Sequence, residues 1–344
     1  MFDQISKSID EFGNSFLSAL NNIQGFFGKD LSIAVPVKEN IFQAIGNTPL
    51  VKINSIGNHI KGANFYLKSE FLNPTGSVKD RTAYGLVKDF EKRGILKEGS
   101  NIIDSSGGNL SVSLAWIGRT LGYSVTSYVT KNTRKSILKK LEFYGANVLF
   151  IPDTDAESPD KIRQFIQNKI SSKPNSVWLD QYVNMINPNI HMKFTGAEIF
   201  RDLAGDVDAF VSGVDSGGVI SGVGRFLKSQ KEAAKIIAAF SSDSKIFSYT
   251  ASKSGRVESA KLKTRLPETF DTKLITSSYY ITLEDCNFYQ QELSSKEGIY
   301  AGVTTGLNLA AAVKYAEDLS SNSDPGEMNI VVMAPDRMDT TFDA

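Results

Sequence analysis

An α/β fold built on twisted, mainly parallel sheets is what this chain predicts, and two observations carry the prediction. From Ile41 onward, apolar runs of strand length alternate with amphipathic stretches of helical period, the order in which helices cover both faces of a parallel sheet. The composition is that of an ordinary globular protein: 344 residues, 41% hydrophobic and 22% charged, enough for two packed lobes or one large domain. No internal repeat and no low-complexity linker interrupts the pattern.

The formal net charge is zero, so bulk electrostatics draws the chain toward neither nucleic acid nor a membrane surface. Cys286, the single cysteine, excludes an intrachain disulfide, and two histidines, His59 and His191, argue against a structural zinc site. No apolar run approaches the ~20 residues of a membrane span. The economical expectation is a cytoplasmic, metal-free protein.

In chain order, residues 1 to 30 come first and place Phe2, Ile5, Ile9, Phe12, Phe16, Leu20, Ile23 and Phe27 on one helical stripe. Signal-peptide and transit-peptide features are lacking, and the polar face is not basic enough for a membrane-surface helix. Residues 1–40 are therefore expected to be an amphipathic helical extension docked on its own domain or on a second subunit.

Pro74 and Gly76 then force a tight turn within Asn73-Pro74-Thr75-Gly76-Ser77-Val78-Lys79-Asp80-Arg81, and a helix is expected from about Val78 to Gly94. A lysine in the first turn of a helix lies near the positive end of its dipole, which favours the neutral, nucleophilic amine. The commonest use of such an amine is a Schiff base with an aldehyde cofactor; a solvated surface lysine is the plain alternative.

A strand over Asn101–Asp104 leads into Ser105-Ser106-Gly107-Gly108-Asn109, with a helix from about Leu110. A glycine-rich turn opening a helix exposes backbone N–H groups that suit an anion such as a carboxylate. Strands are expected next over Ser124–Val129 and Asn147–Ile151, with a helix over Thr133–Tyr144 between them, capped by Asn132 and closed by Gly145. Asp180-Gln181-Tyr182, followed by Asn184, Asn187, Thr195, Gly196 and Glu198, reads alone as a polar loop before a helix. A strand over Ala209–Ser212 runs into Gly213-Val214-Asp215-Ser216-Gly217-Gly218 and a helix through Leu227. That is a backbone phosphate cradle, and not a Walker loop, since no Gly-Lys-Ser/Thr follows. After Glu297-Gly298-Ile299 and Gly302-Val303-Thr304-Thr305-Gly306, the last strand is expected over Asn329–Met333.

With Gly46-Asn47-Thr48-Pro49-Leu50-Val51 ahead of them, these motifs resemble in content and order the cysteine synthase and cystathionine β-synthase family of pyridoxal-phosphate (PLP) enzymes, over roughly residues 40 to 337. The resemblance implies a tryptophan-synthase-β-like architecture, PLP fold type II: two three-layer α/β lobes with the cofactor between them. Residues 76–189 would form the smaller lobe, and 41–75 plus 190–344 the larger one that holds the cofactor phosphate. It further implies that Lys79 is the Schiff-base and catalytic lysine and that Asn109 bonds the cofactor's 3-oxygen. Gly213, Ser216, Gly217 and Gly218 would cradle the phosphate, and Thr304 would meet the pyridine nitrogen. Ser105, Ser106, Gly107, Gly108 and Gln181, beside Tyr182, would hold the substrate carboxylate. A neutral hydroxyl at the pyridine nitrogen weakens the ring as an electron sink, which suits expulsion of a good β-leaving group rather than transamination.

The sequence also departs from the family. The usual hydroxyls are absent at Gly107 and Leu110, so the grip on the carboxylate relies more on backbone. Asp215 stands where glycine is usual, and Val219 where threonine is. A carboxylate ~5 Å from a phosphate dianion costs a few kcal/mol even at an effective dielectric of ~20, so Asp215 must point away, meet a cation, or count against a PLP site. The glycine-rich run expected between Leu266 and Ile275 reads Pro267-Glu268-Thr269-Phe270-Asp271-Thr272-Lys273.

The implied reaction is β-replacement on an activated L-serine, O-phospho- or O-acetyl-L-serine. Leu110 and Tyr182 resemble the branch that joins O-phosphoserine to glutamate toward diaminopropionate for siderophores and antibiotics, and Arg163 lies near an arginine of that branch. The alternatives are a cysteine synthase using sulfide and a non-catalytic PLP-fold binding or regulatory partner. The expected partners are small amino-acid substrates and a second copy in a homodimer, with no nucleic acid.

Overall fold

The computed structural model describes residues 37–242, 247–252, 255–262, 265–322 and 326–338. The helix expected over residues 1 to 30 lies outside them. The chain divides into Met1–Asn40 and Ile41–Ala344, and all elements named here lie in the second unit.

Its strands are β1 (Leu50–Ile53), β2 (Ala63–Ser69), β3 (Asn101–Asp104), β4 (Ser124–Val129), β5 (Asn147–Phe150), β6 (Ser176–Trp178), β7 (Ala209–Gly213), β8 (Lys235–Ser241), β9 (Phe247–Ala251), β10 (Val257–Leu262), β11 (Ser277–Ile281) and β12 (Met328–Ala334). The helices are α1 (Lys79–Lys92), α2 (Asn109–Leu121), α3 (Lys135–Phe143), α4 (Pro159–Ser171), α5 (Ile186–Ile190), α6 (Ala197–Asp202), α7 (Gly218–Gln230), α8 (Leu283–Glu297) and α9 (Val303–Asn322), with a π-helical stretch, His191–Gly196, between α5 and α6.

One sheet runs β1-β2-β12-β7-β8-β11 and is parallel except at the β1–β2 edge pair. A second, all-parallel sheet runs β5-β4-β3-β6, and β9 pairs with β10 antiparallel. Side-chain alternation along each strand gives the six-stranded and the four-stranded sheet two buried faces. In the larger sheet Val211, Ile237 and Val332 join a core with Ala310, Ala312 and Val313 of α9, while Phe210, Ile236 and Val331 join another with Ile220, Val223 and Leu227 of α7. In the smaller sheet Ile102 faces Leu86, Leu114 and Ile117 of α1 and α2, and Ile103 faces Ile166 of α4.

The expected strands appear with bounds shifted by one residue at most. One helix start differs. Asn132 does not cap α3, whose N-cap is Arg134 without a side-chain hydrogen bond. Thr133 N–H first closes a turn onto Thr130 O at 3.0 Å, and the helix begins only after that turn is complete.

What this architecture positions is a ring of loops. β3, β6, β7 and β12 all deliver their following segments from the carboxyl ends of parallel strands, where open α/β sheets bind ligands.

Candidate active site

Lys79 opens α1, with its side chain 15% exposed. Its Nζ donates to Gln181 Oε1 at 2.7 Å and pairs with Asp215 Oδ2 at 3.3 Å. The turn before it is locked by buried Asp80, which accepts from Thr75 N at 2.7 Å, from Thr75 Oγ1 at 2.5 Å and from Ser113 Oγ at 2.6 Å. Val78 N–H also donates to Pro335 O at 2.8 Å, tying the turn to the end of β12. Asp215 therefore meets a cation, Lys79 Nζ, while that nitrogen is free of a cofactor. Its other oxygen accepts from the Tyr182 hydroxyl at 3.3 Å. The Asp215 charge, added to by burial, pushes the Tyr182 phenol well above its ordinary value.

After β3, Ser105 to Asn109 are half-buried and lead into α2. The Ser106 hydroxyl is already committed: it donates to Asp104 Oδ2 at 2.8 Å and accepts from Ser111 N–H at 3.1 Å, while Ser106 N–H also goes to Asp104, at 2.9 Å. Ser106 thus braces the loop, and the N–H groups at the start of α2 are what it offers an anion. Gly107 has φ +56°, where a side chain is strained, and a Cβ would also lie 3.1 Å from Thr133 Oγ1. That is a physical reason for the missing hydroxyl. Leu110 is 3% exposed and packs into the core of the smaller sheet, so it does not line the site.

The β7 loop places Ser216 in a network. Asn187 Nδ2 donates to Ser216 Oγ at 3.0 Å and to Gln181 O at 2.8 Å. Thr269 Oγ1 donates to Ser216 O at 2.5 Å, and Thr269 N–H reaches Tyr182 O at 3.3 Å. Thr269 lies in the segment where the family's glycine run is missing, and it joins the Gln181-Tyr182 loop to the β7 loop. Its signal in the sequence was only that departure.

Asn109 Nδ2 donates to Asp336 Oδ2 at 2.9 Å, and Gly302 N–H donates to Asp336 O at 2.8 Å. The first turn of α9 packs on the end of β7: a Cβ at Gly213 would lie 3.6 Å from Thr304 Cγ2. Lys79, Asn109, Gln181, Ser216 and Thr304 are thus tied together through Asp336, Asn187 and Thr269; the sequence places Asn187 in a polar segment and Thr269 in a departing run but gives none of the three this role. Arg163 lies to one side, paired with Asp180 Oδ2 at 2.6 Å and stacked over Trp178 at 5.0 Å.

Behind Lys79 lies a buried charge network. Arg81 grips Glu70 through Nε at 2.7 Å and Glu198 through two nitrogens at 2.6 and 2.7 Å, and Lys68 Nζ adds a 2.8 Å contact to Glu198. It anchors the first turn of α1 and so the backbone from which Lys79 projects. Among the described residues no group of His, Cys, Asp or Glu could hold a metal ion, and no helix is long and apolar enough to cross a membrane.

The donors present fit PLP. At the start of α7 the backbone must be bare, because a Cβ on Gly217 would lie 2.3 Å from Phe270 Cβ and one on Gly218 would lie 2.1 Å from Asn187 Oδ1. A phosphate placed there would meet the N–H groups of the helix start, and Ser216 Oγ, accepting from Asn187, keeps its own proton to donate. An amine for the aldehyde (Lys79), an amide (Asn109) and a neutral hydroxyl (Thr304) complete the set.

The family described as pyridoxal-phosphate dependent enzyme matches residues 41–336. Cysteine synthase A of Salmonella typhi is 34% identical over 300 residues, covering 85% of this chain and 90% of that one. Among solved structures, a hydrogen sulfide-producing enzyme from Fusobacterium nucleatum is similar with a TM-score of 0.77 at 27% identity, covering 88% of this chain and 98% of that one. O-ureido-L-serine synthase is similar with a TM-score of 0.76 at 26% identity, covering 88% and 92%. A match that spans the whole ring of loops, on a fold whose donors suit the cofactor, leads to one conclusion: the chain belongs to the pyridoxal-phosphate dependent enzymes of fold type II and uses PLP.

Proposed function

We propose that this enzyme replaces the β-substituent of an activated L-serine, O-phospho- or O-acetyl-L-serine, with an amine nucleophile such as glutamate. The observation that carries the reading is a single cavity of about 370 Å³ in which Ser105 and Gly107 face Tyr182, Asp215 and Arg163. Such a space sets a carboxylate-binding loop beside charged groups suited to a second, larger substrate. When bound, PLP supplies the electron sink that lets an α-proton and a β-leaving group depart.

In this reading Lys79 holds the cofactor, gives way to the substrate amine and moves the α-proton through Nζ. The N–H groups opening α2 and the Gln181 amide, whose Oε1 already faces Lys79, orient the substrate carboxylate. Ser216, Gly217 and Gly218, with Gly213 behind them, take the phosphate, and Thr304 gives the pyridine nitrogen a neutral partner. Since Leu110 is a core residue, support for the amine rests on Tyr182, Arg163 and Asp215.

A second reading, a cysteine synthase using sulfide, is favoured by the likeness to cysteine synthase A and to the hydrogen sulfide-producing enzyme. Incubation with O-phospho-L-serine and equal glutamate and sulfide, followed by mass analysis, separates the two. The glutamate adduct is the expected main product; cysteine as the main product overturns the amine reading. The same reading has the enzyme act in the cytoplasm as a homodimer, with lobes over 76–189 and over 41–75 plus 190–344; light scattering over a dilution series tests the dimer.

A further inference from the structure

We infer that Asp215 selects the second substrate by charge, receiving the ammonium group of an incoming amino acid and holding hydrosulfide off. The inference rests on the β-replacement reading and deepens it by assigning the choice of nucleophile to one side chain.

Phosphate binding does not call for a carboxylate at Asp215, and this one lines the cavity with its side chain 65% exposed. One of its oxygens lies 3.3 Å from Lys79 Nζ and the other 3.3 Å from the Tyr182 hydroxyl. The Lys79 ammonium group thus already sits against this carboxylate, at contact distance. Once Lys79 Nζ is committed to the cofactor, the carboxylate is released to a second cation. Each carboxylate oxygen has lone pairs beyond the contact it now makes.

The surrounding charges point the same way. The cavity wall also carries Asp160, Glu268, Arg163 and Arg265. Arg163 is paired with Asp180 at 2.6 Å and Arg265 with Glu268 at 2.5 Å, so the guanidinium groups are offset where they stand. Beside Tyr182 it is the Asp215 charge that chiefly drives the phenol upward. A small anion entering there meets like charge, whereas the ammonium group of an amino acid finds an opposite one. Repulsion of the wrong partner is as much a source of specificity as attraction of the right one.

The alternative role for Asp215 is to hold Lys79 in place, which would affect every second substrate alike. Wild-type enzyme, Asp215→Asn and Asp215→Glu, each loaded with PLP and given O-phospho-L-serine, are therefore compared with glutamate and with sulfide separately. In Asp215→Asn, kcat/KM for glutamate should fall about tenfold, mainly through KM, and kcat/KM for sulfide should rise about threefold. Asp215→Glu should keep the wild-type preference. Added salt should speed the wild-type reaction with sulfide and leave that of Asp215→Asn unaffected, since screening acts only where the charge is. Because both nucleophiles meet the same variant, any general loss of cofactor cancels from their ratio. An unchanged ratio, or an equal loss with both, overturns the proposal and leaves Asp215 as a holder of Lys79. If the wild type makes cysteine alone, the amine reading fails by itself. Charge selection is then decided by whether sulfide turnover rises in Asp215→Asn.

Discussion

Asn109 Nδ2 donates to Asp336 Oδ2 at 2.9 Å, joining residues 227 positions apart. The amide expected to face the cofactor is thus aimed by a carboxylate at the end of β12. The same residue takes Gly302 N–H on its main-chain oxygen and pairs in a bridge with Ser77, two residues before Lys79. One residue therefore sets the positions of three motifs, and substituting it should be felt by all of them.

Asp336→Ala is expected to weaken PLP binding about tenfold or more, from the ~1.5–3 kcal/mol of a hydrogen bond to a charged group. Asp336→Asn, which can still accept from Asn109, should lose less. Equilibrium dialysis of PLP against each variant measures it, and wild-type affinity in Asp336→Ala would remove the residue from this role.

Lys79→Ala should abolish both the visible absorbance of bound cofactor and all turnover. Among the described residues, no other lysine donates to Gln181 while opening a helix at this site. A variant that keeps the band and turns over would move the covalent attachment elsewhere.

Gly218→Ala tests the cradle. Its Cβ would fall 2.1 Å from Asn187 Oδ1, so Asn187 must leave Ser216 and Gln181 to make room. The combined overpacking and lost buried hydrogen bonds should cost about 3 kcal/mol in denaturant unfolding, together with poorer PLP retention. Gly94→Ala, where a Cβ meets nothing within 4 Å but φ is +68°, controls for backbone strain alone and should cost about 1 kcal/mol.

These predictions divide by what a one-dimensional pattern can show. The strand-turn-helix joints at Asn101–Asn109 and Ala209–Gly218 were legible because apolar runs, glycines and helix starts are all local. β6, only Ser176–Trp178, is too short for any period to register. β2 contains Lys68, which is 0% exposed and reads in sequence as a surface residue. Its burial is tolerable because Glu198, Asp202 and Thr48 O surround its ammonium, partners supplied by folding. The bracing roles of Asp336, Asn187 and Thr269 are not legible for the same reason: each acts through contacts with segments remote in the chain. Arg163 was placed from likeness to one branch, and its pairing with Asp180 could not be read from either residue alone.

The buried network behind Lys79 predicts how stability depends on pH. Burial alone would raise the Glu198 carboxyl, but hydrogen bonds from Arg81 and the charges of Arg81 and Lys68 outweigh it and hold the group at about 2, down from 4.5. His191 is buried between Thr82 Oγ1 and Thr195 Oγ1, each at 3.0 Å; burial first, then the Arg81 and Lys79 charges, keep its imidazole well below 6.5. In both cases the unfolded chain takes up its proton at higher pH than the folded one, so stability falls as pH falls. The windows differ: the His191 contribution is complete only above pH 6.5 and erodes below it, whereas that of Glu198 erodes from about 4.5 down to about 2. Unfolding free energies measured from pH 8 to pH 3 should therefore fall in two stages. His191→Gln should flatten the first stage and leave the second. Glu198→Gln should flatten the second and cost about 3 kcal/mol at neutral pH, since it leaves Lys68 and part of Arg81 uncompensated in the interior. A Glu198→Gln profile parallel to that of the wild type below pH 4.5 would mean that the network is not charged as the geometry requires.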